Sequence, residues 1–198
     1  MNALKICGIN SAEFAGAAVA AGVDYLGFIF CPESPRAVSP EQAERILSRI
    51  GRPRGKIVCV FVDASERTIR KIAERLSPDV IQLHGAEPAE LAVSLRRDYE
   101  VWKAVSGGFD PDYPADAFLV DSCKPGSGMR SDRALAERVL ASGKRLVLAG
   151  GLSAANLVEA ARIGADVLDV NSSLEDVPGH KCTDRLNELI SIYQGVQK

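Results

Sequence analysis

The chain predicts an α/β fold, a compact (β/α)8 TIM barrel, and three observations carry that expectation. Eight strand-like runs alternate with helix-like runs from end to end, and such unbroken alternation implies parallel strands. In several of those runs one alternate set of residues is apolar and the other polar, as suits strands with helices outside and a lumen inside. The polar set also gathers toward strand C-terminal ends, where barrel active sites lie. An open doubly wound sheet would share the local pattern with fewer units. At 198 residues the chain is expected to form one domain, 1–198; barrels of this type typically run to about 250.

The first strand, 4–8, is Leu4-Lys5-Ile6-Cys7-Gly8: Leu4 and Ile6 share one face, Lys5 and Cys7 the other, and Gly8 ends it at a turn. Ser11 caps a helix to about residue 21. Residues 25–30 form strand two, and Ser39-Pro40-Glu41 starts a helix to about residue 50. Strand three is 56–62, with a helix from Ser65 to residue 76; strand four is 79–84, with a helix over 87–97; strand five is 100–105. The link 106–116 is rich in Gly, Pro and Asp, so the fifth helix is expected to be absent or reduced to a turn. Strand six follows at 117–121, a helix at 131–141, strand seven at 145–149, a helix opened by Ser153, strand eight at 165–170 and a closing helix at 183–193.

Parity assigns the faces. Leu4 and Ile6, Ile81 and Leu83, Trp102 and Ala104, Phe118 and Val120, and Leu168 and Val170 are expected beneath the helices. Lys5, Cys7, Gln82, His84, Lys103, Asp121, Asp169 and Asn171 then converge on the lumen. Satisfied polar core residues are the bland alternative for Gln82, His84 and Lys103, and it weakens because they share a side.

Composition narrows the function classes. With 24 Lys and Arg against 26 Asp and Glu and no basic run, neither a nucleic-acid surface nor a membrane-binding patch is expected. The five cysteines stand singly, without C-x-x-C pairs or zinc-finger spacing, so no metal site is read from them. No secretory segment is read either, and reduced thiols in a cytoplasm are expected. The apolar run 15–23 is Ala/Gly-rich, bracketed by Glu13 and Asp24, and far short of the roughly 20 residues a membrane span needs.

Two late turns are suited to an anion. Strand seven ends in Gly150-Gly151 with Ser153 as a helix cap, and strand eight runs into Asn171-Ser172-Ser173-Leu174-Glu175. Paired glycines let backbone N–H groups approach a ligand, and Ser172-x-x-Glu175 reads as a capping box opening a short extra helix. A phosphate between loops seven and eight is a recurrent barrel feature, so Gly150, Gly151, Ser172 and Ser173 are the candidate phosphate groups.

An ordered set of segments resembles the phosphoribosylanthranilate isomerases of tryptophan biosynthesis: Lys5-Ile6-Cys7-Gly8, Gly27-Phe28-Ile29-Phe30, Ser34-Pro35-Arg36, Gln82-Leu83-His84-Gly85, Leu119-Val120-Asp121-Ser122, Gly150-Gly151-Leu152, and Asp169-Val170 with Glu175 and Pro178-Gly179. The resemblance implies an Amadori rearrangement of N-(5-phosphoribosyl)anthranilate to 1-(2-carboxyphenylamino)-1-deoxyribulose 5-phosphate. It implies Cys7 as general base, Asp121 as general acid and Arg36 on the anthranilate carboxylate, with Gln82, His84 and Asp169 as further substrate-binding candidates. Neither cofactor nor metal is implied, and the chain would act as a monomer or homodimer. Three positions depart from the family pattern: the 124–129 loop, Ser173 where many members carry Gly, and Lys181-Cys182, placed at the start of the last helix rather than at the chemistry.

The chemistry fits those residue types. An acid protonates the ribose ring oxygen, and a base removes the C2 proton from the resulting iminium, so two groups flanking the sugar suffice. Asp121 must carry its proton when it acts, which burial in the mouth would favour. Cys7 must lose its proton, so a positive neighbour such as Lys5 should assist it. An inert buried thiol is the alternative for Cys7, and is the reading given to Cys31, Cys59 and Cys123; a solvated loop cation is the alternative for Arg36. Two other functions stay open: a histidine-pathway aminoaldose isomerase, which works with two carboxylates, and a non-catalytic phosphoribosyl-ligand sensor, which needs the cradle without Cys7 and Asp121.

Overall fold

Short runs of Val, Ile, Leu and aromatic residues, bracketed by Gly, Asp and Ser, supply the strands, and the computed structural model closes eight of them into a parallel barrel in sequence order. It describes residues 2–121 and 133–196. The elements are β1 (Ala3–Cys7), α1 (Ala12–Ala20), β2 (Tyr25–Ile29), α2 (Pro40–Ile50), β3 (Lys56–Phe61), α3 (Glu66–Leu76), β4 (Val80–Leu83), α4 (Ala89–Leu95), β5 (Glu100–Val105), β6 (Ala117–Val120), α5 (Arg133–Ala141), β7 (Arg145–Leu148), α6 (Leu157–Ala161) and β8 (Val167–Val170). A 3-10 turn (Ser172–Leu174), a hairpin of β9 (Glu175–Val177) and β10 (His180–Lys181), and α7 (Thr183–Val196) complete the chain. Cys123, the 124–129 loop and the first residues of the helix expected from 131 lie outside the described residues. Among the described residues no helix is long and apolar enough to cross a membrane.

The expected caps form at three helices. The side chains of Ser11, Ser39 and Ser65 accept hydrogen bonds from the N–H groups of Phe14, Gln42 and Thr68, satisfying donors that a helix start leaves unpaired. Between β5 and β6 no helix forms. Aromatics from that link cover the gap instead: Phe109 packs edge-on against Phe118 at 4.9 Å, and the Tyr113 hydroxyl donates to the Glu87 carbonyl at 3.2 Å.

The core has two concentric parts. Leu4, Ile6, Ile81, Leu83, Phe118, Val120, Leu168 and Val170 lie between strands and helices, as parity predicted. The lumen is filled by Tyr25, Val58, Val60, Val80, Trp102, Leu119 and Val147. Strand five runs opposite to expectation: Trp102 is in the lumen and Ala104 packs there too, whereas Lys103 aligns with the outward-facing Leu83 and Phe118. Both parities of β5 carry apolar residues, so the pattern was ambiguous. Volume decides it, because the Trp102 indole fills the barrel floor 5.0 Å from the Tyr25 ring and donates to Glu100 at 2.8 Å. Glu100 also accepts from Lys56 at 2.8 Å and Arg145 at 2.6 Å, which satisfies the carboxylate that closes the lower end.

The short extra helix expected after strand eight is a single 3-10 turn, and the capping box does not form. Asn171, not Ser172, stands at the cap, without a side-chain bond, and Glu175 enters an antiparallel hairpin. Its carboxylate is drawn to two cations instead, which outweigh a backbone N–H as partners. Ser153 is likewise not a helix cap: Asn156 Oδ1 accepts from the Ser153 N–H at 2.8 Å, and α6 begins only at Leu157.

Candidate active site

The strand tips enclose a cavity of about 550 Å³ at the C-terminal mouth of the barrel. Cys7, Arg36, Gln82, His84, Asp121 and Asp169 all line it, with Gly150, Gly151 and Ser172 on the rim. Groups separated by more than a hundred positions in the chain thus face one space. Among the sequence candidates, Ser173 alone is not part of that wall: its hydroxyl donates to the Leu152 carbonyl at 2.5 Å, tying the β8 loop to the β7 loop.

Cys7 ends β1 beside Gly27 of β2 and is 4% exposed. Beneath it Lys5 is fully buried and donates to Asp169 Oδ2 at 2.7 Å, across the seam where β8 closes on β1. Burial alone would push the Lys5 ammonium down, but Asp169 and the nearby Cys7 more than offset this and hold it protonated. Burial pushes the Cys7 thiol above its ordinary value, while the cations of Lys5 and Lys181 pull the other way. The positive neighbour the chemistry requires is therefore present, and there are two of them.

Lys181 is the residue that sequence reasoning set aside. Its Nζ donates to the Asn171 carbonyl at 2.9 Å and to Asn171 Oδ1 at 2.8 Å, and lies 3.0 Å from Glu175 Oε1. Glu175 meanwhile accepts from Arg36 Nε at 2.6 Å and Nη2 at 2.7 Å. The signal was available in the spacing of Glu175, Pro178, Gly179 and Lys181, which reads as a hairpin once the capping box is dropped. Lys103, expected in the lumen, belongs to a different brace: it donates to the Gly85 carbonyl and, at 3.0 Å, to Glu87 Oε2, holding the turn that follows His84.

His84 Nδ1 accepts from Gln82 Nε2 at 2.9 Å as the amide is assigned, which leaves the imidazole proton on Nε2, 3.7 Å from Asp121 Oδ2. Burial lowers the His84 pKa, so the ring is neutral at pH 7. Asp121 is less buried than expected, its side chain being 41% exposed. Gln82 Oε1 and Asp169 Oδ1 are buried acceptors with no donor among the described residues.

At the rim Gly150 and Gly151 have φ values of 85° and 69°, where L side chains are strained, and Asn156 Nδ2 donates to the Gly151 carbonyl at 2.9 Å to fix the turn. Cys59 is an inert thiol as expected, fully buried and pushed up by that burial. Cys31, expected to be a buried thiol, is only half-buried: it lines the cavity and donates to Glu33 at 3.1 Å.

Comparison with known proteins now decides the family. Residues 4–191 match the family model of N-(5'-phosphoribosyl)anthranilate (PRA) isomerase. The chain belongs to that family. It is 38% identical over 196 residues to the N-(5'-phosphoribosyl)anthranilate isomerase of Rhizobium meliloti, covering 90% of each chain. The crystal structure of phosphoribosyl anthranilate isomerase from Thermus thermophilus superposes with a TM-score of 0.89 at 39% identity, covering 98% of this chain and 99% of the other. A further isomerase of the family, at 33% identity and a TM-score of 0.86 over 98% of this chain and 100% of its own, was crystallised with reduced 1-(O-carboxyphenylamino)-1-deoxyribulose 5-phosphate.

Proposed function

We propose that the mouth of this PRA isomerase barrel converts N-(5'-phosphoribosyl)anthranilate to 1-(2-carboxyphenylamino)-1-deoxyribulose 5-phosphate, a step of tryptophan biosynthesis, with Cys7 as general base and Asp121 as general acid. The observation that carries the reading is the shared cavity: a thiol and a carboxyl group from β1 and from the end of β6 line one space, with two buried, unpaired acceptors beside them.

Asp121 delivers its proton to the ribose ring oxygen. The C1–O bond breaks, the anthranilate nitrogen lone pair forms the iminium, and Cys7 takes the C2 proton to give an enolamine. The resulting enol then tautomerises to the ketone. Lys5 and Lys181 stabilise the thiolate that starts the step. Arg36 holds the anthranilate carboxylate, Gln82, His84 and Asp169 contact the sugar, and backbone N–H groups of Gly150, Gly151, Ser172 and Ser173 hold the phosphate. Cys7 rather than a carboxylate at the first strand tip disfavours the histidine-pathway aminoaldose, and the paired acid and base disfavour a mere sensor. The whole reaction needs only the one barrel domain, as monomer or homodimer, and a thiol base is suited to a reducing cytoplasm.

The test is direct: the purified protein is mixed with enzymatically generated phosphoribosylanthranilate and the loss of anthranilate fluorescence is followed. Turnover is expected, and Cys7→Ala should lower kcat by about two to four orders of magnitude while binding of the reduced product analogue changes little. Near-normal activity in that variant would remove Cys7 from the base role.

A further inference from the structure

We infer that Glu175 is a positioning residue for substrate recognition: it orients Arg36 so that one end of the guanidinium is presented to the carboxylate of the anthranilate ring. The inference rests on the reading of Arg36 as the carboxylate contact. Arg36 sits in the loop after β2, 139 positions from Glu175, and its side chain is 20% exposed against 3% for Glu175. A long side chain on a loop has many rotamers, and a planar fork recognises a carboxylate only when its plane and edge are fixed.

Glu175 supplies that fixation through two bonds on one edge of the fork, to Nε and Nη2. The guanidinium has a second edge, formed by Nη1 and the other hydrogen of Nη2, which has no partner among the described residues and can take a second carboxylate from the cavity that Arg36 lines. The arrangement is a carboxylate–guanidinium–carboxylate sandwich with one member supplied by the ligand. Glu175 is itself held by its place in β9, by Lys181 at 3.0 Å and by the Gly179 N–H at 3.2 Å, so the fork is anchored to a hydrogen-bonded hairpin beside the barrel mouth. Burial would raise the Glu175 pKa, but Arg36 and Lys181 outweigh it and keep the group ionised. Two cations around one anion leave this cluster with a net positive charge, and Arg36 is its member on the cavity wall, which favours a carboxylate there over a neutral group.

The Arg36–Glu175 link also gives the β9–β10 hairpin a purpose. Gly179 carries a φ of 84°, and a Cβ there would meet the Pro35 carbonyl oxygen at 2.4 Å, so the hairpin is pressed directly against the loop that bears Arg36. Asn10 Nδ2 donates to the Gly179 carbonyl at 2.6 Å and completes the docking.

The experiment compares two ligands on three variants by titration calorimetry: the reduced carboxyphenylamino-deoxyribulose 5-phosphate and its phenylamino counterpart, which lacks the ring carboxylate. Glu175→Gln should weaken the first by about tenfold or more, the scale of a charge-assisted contact, and leave the second nearly unchanged. Arg36→Ala should do the same, and adding Glu175→Gln to it should cost the carboxylate ligand nothing further. In steady state, Glu175→Gln should raise KM with a much smaller change in kcat, and Glu175→Asp should recover part of the loss. Equal weakening of both ligands, or a kcat defect without a KM defect, would overturn the positioning role. If Arg36→Ala spared the carboxylate ligand, the Arg36 reading itself would fail; if only Glu175→Gln spared it, this inference alone would. Should Glu175→Gln fail to fold, Glu175→Asp carries the same ligand comparison.

Discussion

The two ends of the barrel are built on opposite plans. At the lower end one device is repeated four times. Asp24, Asp79, Asp116 and Asp166 each stand just before an even-numbered strand and accept a hydrogen bond from the backbone N–H of Leu4, Ile57, Val101 and Leu146, every one at 2.8 Å. Each Asp returns a bond from its own N–H to the carbonyl of the same residue, so every odd strand is held at its second position by a reciprocal pair. At the mouth the described loops are braced in unlike ways: a Lys–Asp pair crosses the seam, a Glu grips an Arg and a Lys, and a second Lys–Glu pair braces the turn after His84. Stability is spread evenly by repetition beneath, where chemistry is concentrated by unlike loops above. The mouth therefore holds most of the buried charge, and a substitution there should disturb function and fold together.

The largest stability effect is expected at the seam. Lys5→Met keeps much of the side-chain volume but strands the Asp169 carboxylate in a dry site, and removing one partner of a buried pair costs about 3–5 kcal/mol. Urea unfolding reads that loss. The same change removes one of the two cations that oppose the upward push of burial on Cys7. A base must be deprotonated to act, so with Cys7 in the proposed role kcat/KM should rise with pH through its titration. Lys5→Met should move that rise to higher pH. An unshifted profile would mean that Lys5 serves the fold alone, and the contrast between the two ends would soften.

What the sequence revealed and what it hid follow the same division. The barrel, its order and the outer face of most strands were legible because burial on one side imposes a period of two, and Ser11, Ser39 and Ser65 announced their helices. The position of Cys7, Asp121 and Asp169 at the barrel mouth was legible because polar residues at strand tips are out of place in a strand. The failures came where one residue had two partners to choose from. Ser172-x-x-Glu175 offers a capping box, yet Lys181 and the sequence-distant Arg36 captured Glu175, and no local pattern contains Arg36. On β5 parity was silent because Val101, Trp102, Ala104 and Val105 are apolar on both sides, and only the shape of the floor selected Trp102 for the lumen. The Asp clamps were written in the chain as Asp24-Tyr25, Asp79-Val80, Asp116-Ala117 and Asp166-Val167, but their unequal spacing conceals the repeat.

A smaller effect, still at the mouth, is expected at Gly27. This glycine lies within β2 without a positive φ, so the backbone does not require it. Space does: a Cβ there would stand 2.9 Å from Cys7 Sγ, 3.2 Å from Cys7 Cα and 3.3 Å from Lys5 Cε. Gly27→Ala should cost about 1–3 kcal/mol as overpacking and lower kcat by displacing the thiol. Thermal melts of the pair Gly27→Ala and Cys7→Ala should be non-additive, since loss of the sulfur relieves the tightest contact. Additive losses would show that the strand, not the thiol, resists the methyl group.

The smallest effects on activity are expected beneath. Truncating any one of the four clamping Asp residues to Ala leaves one backbone N–H without its acceptor, worth about 1–3 kcal/mol. The exposed partners of Asp79 and Asp116, Arg52 at 3.3 Å and Arg96 at 2.6 Å, add little, because surface ion pairs contribute about 0–1 kcal/mol. The four variants should therefore cluster in urea midpoint and keep kcat within a few-fold of the parent. Asp79 and Asp166 precede β4 and β8, half a barrel apart, and share no partner, so their double variant should lose the sum of the two. A clamp variant with a large kcat defect would show that the lower ring sets the geometry of the strand tips above it, and the division between the two ends would break at that strand.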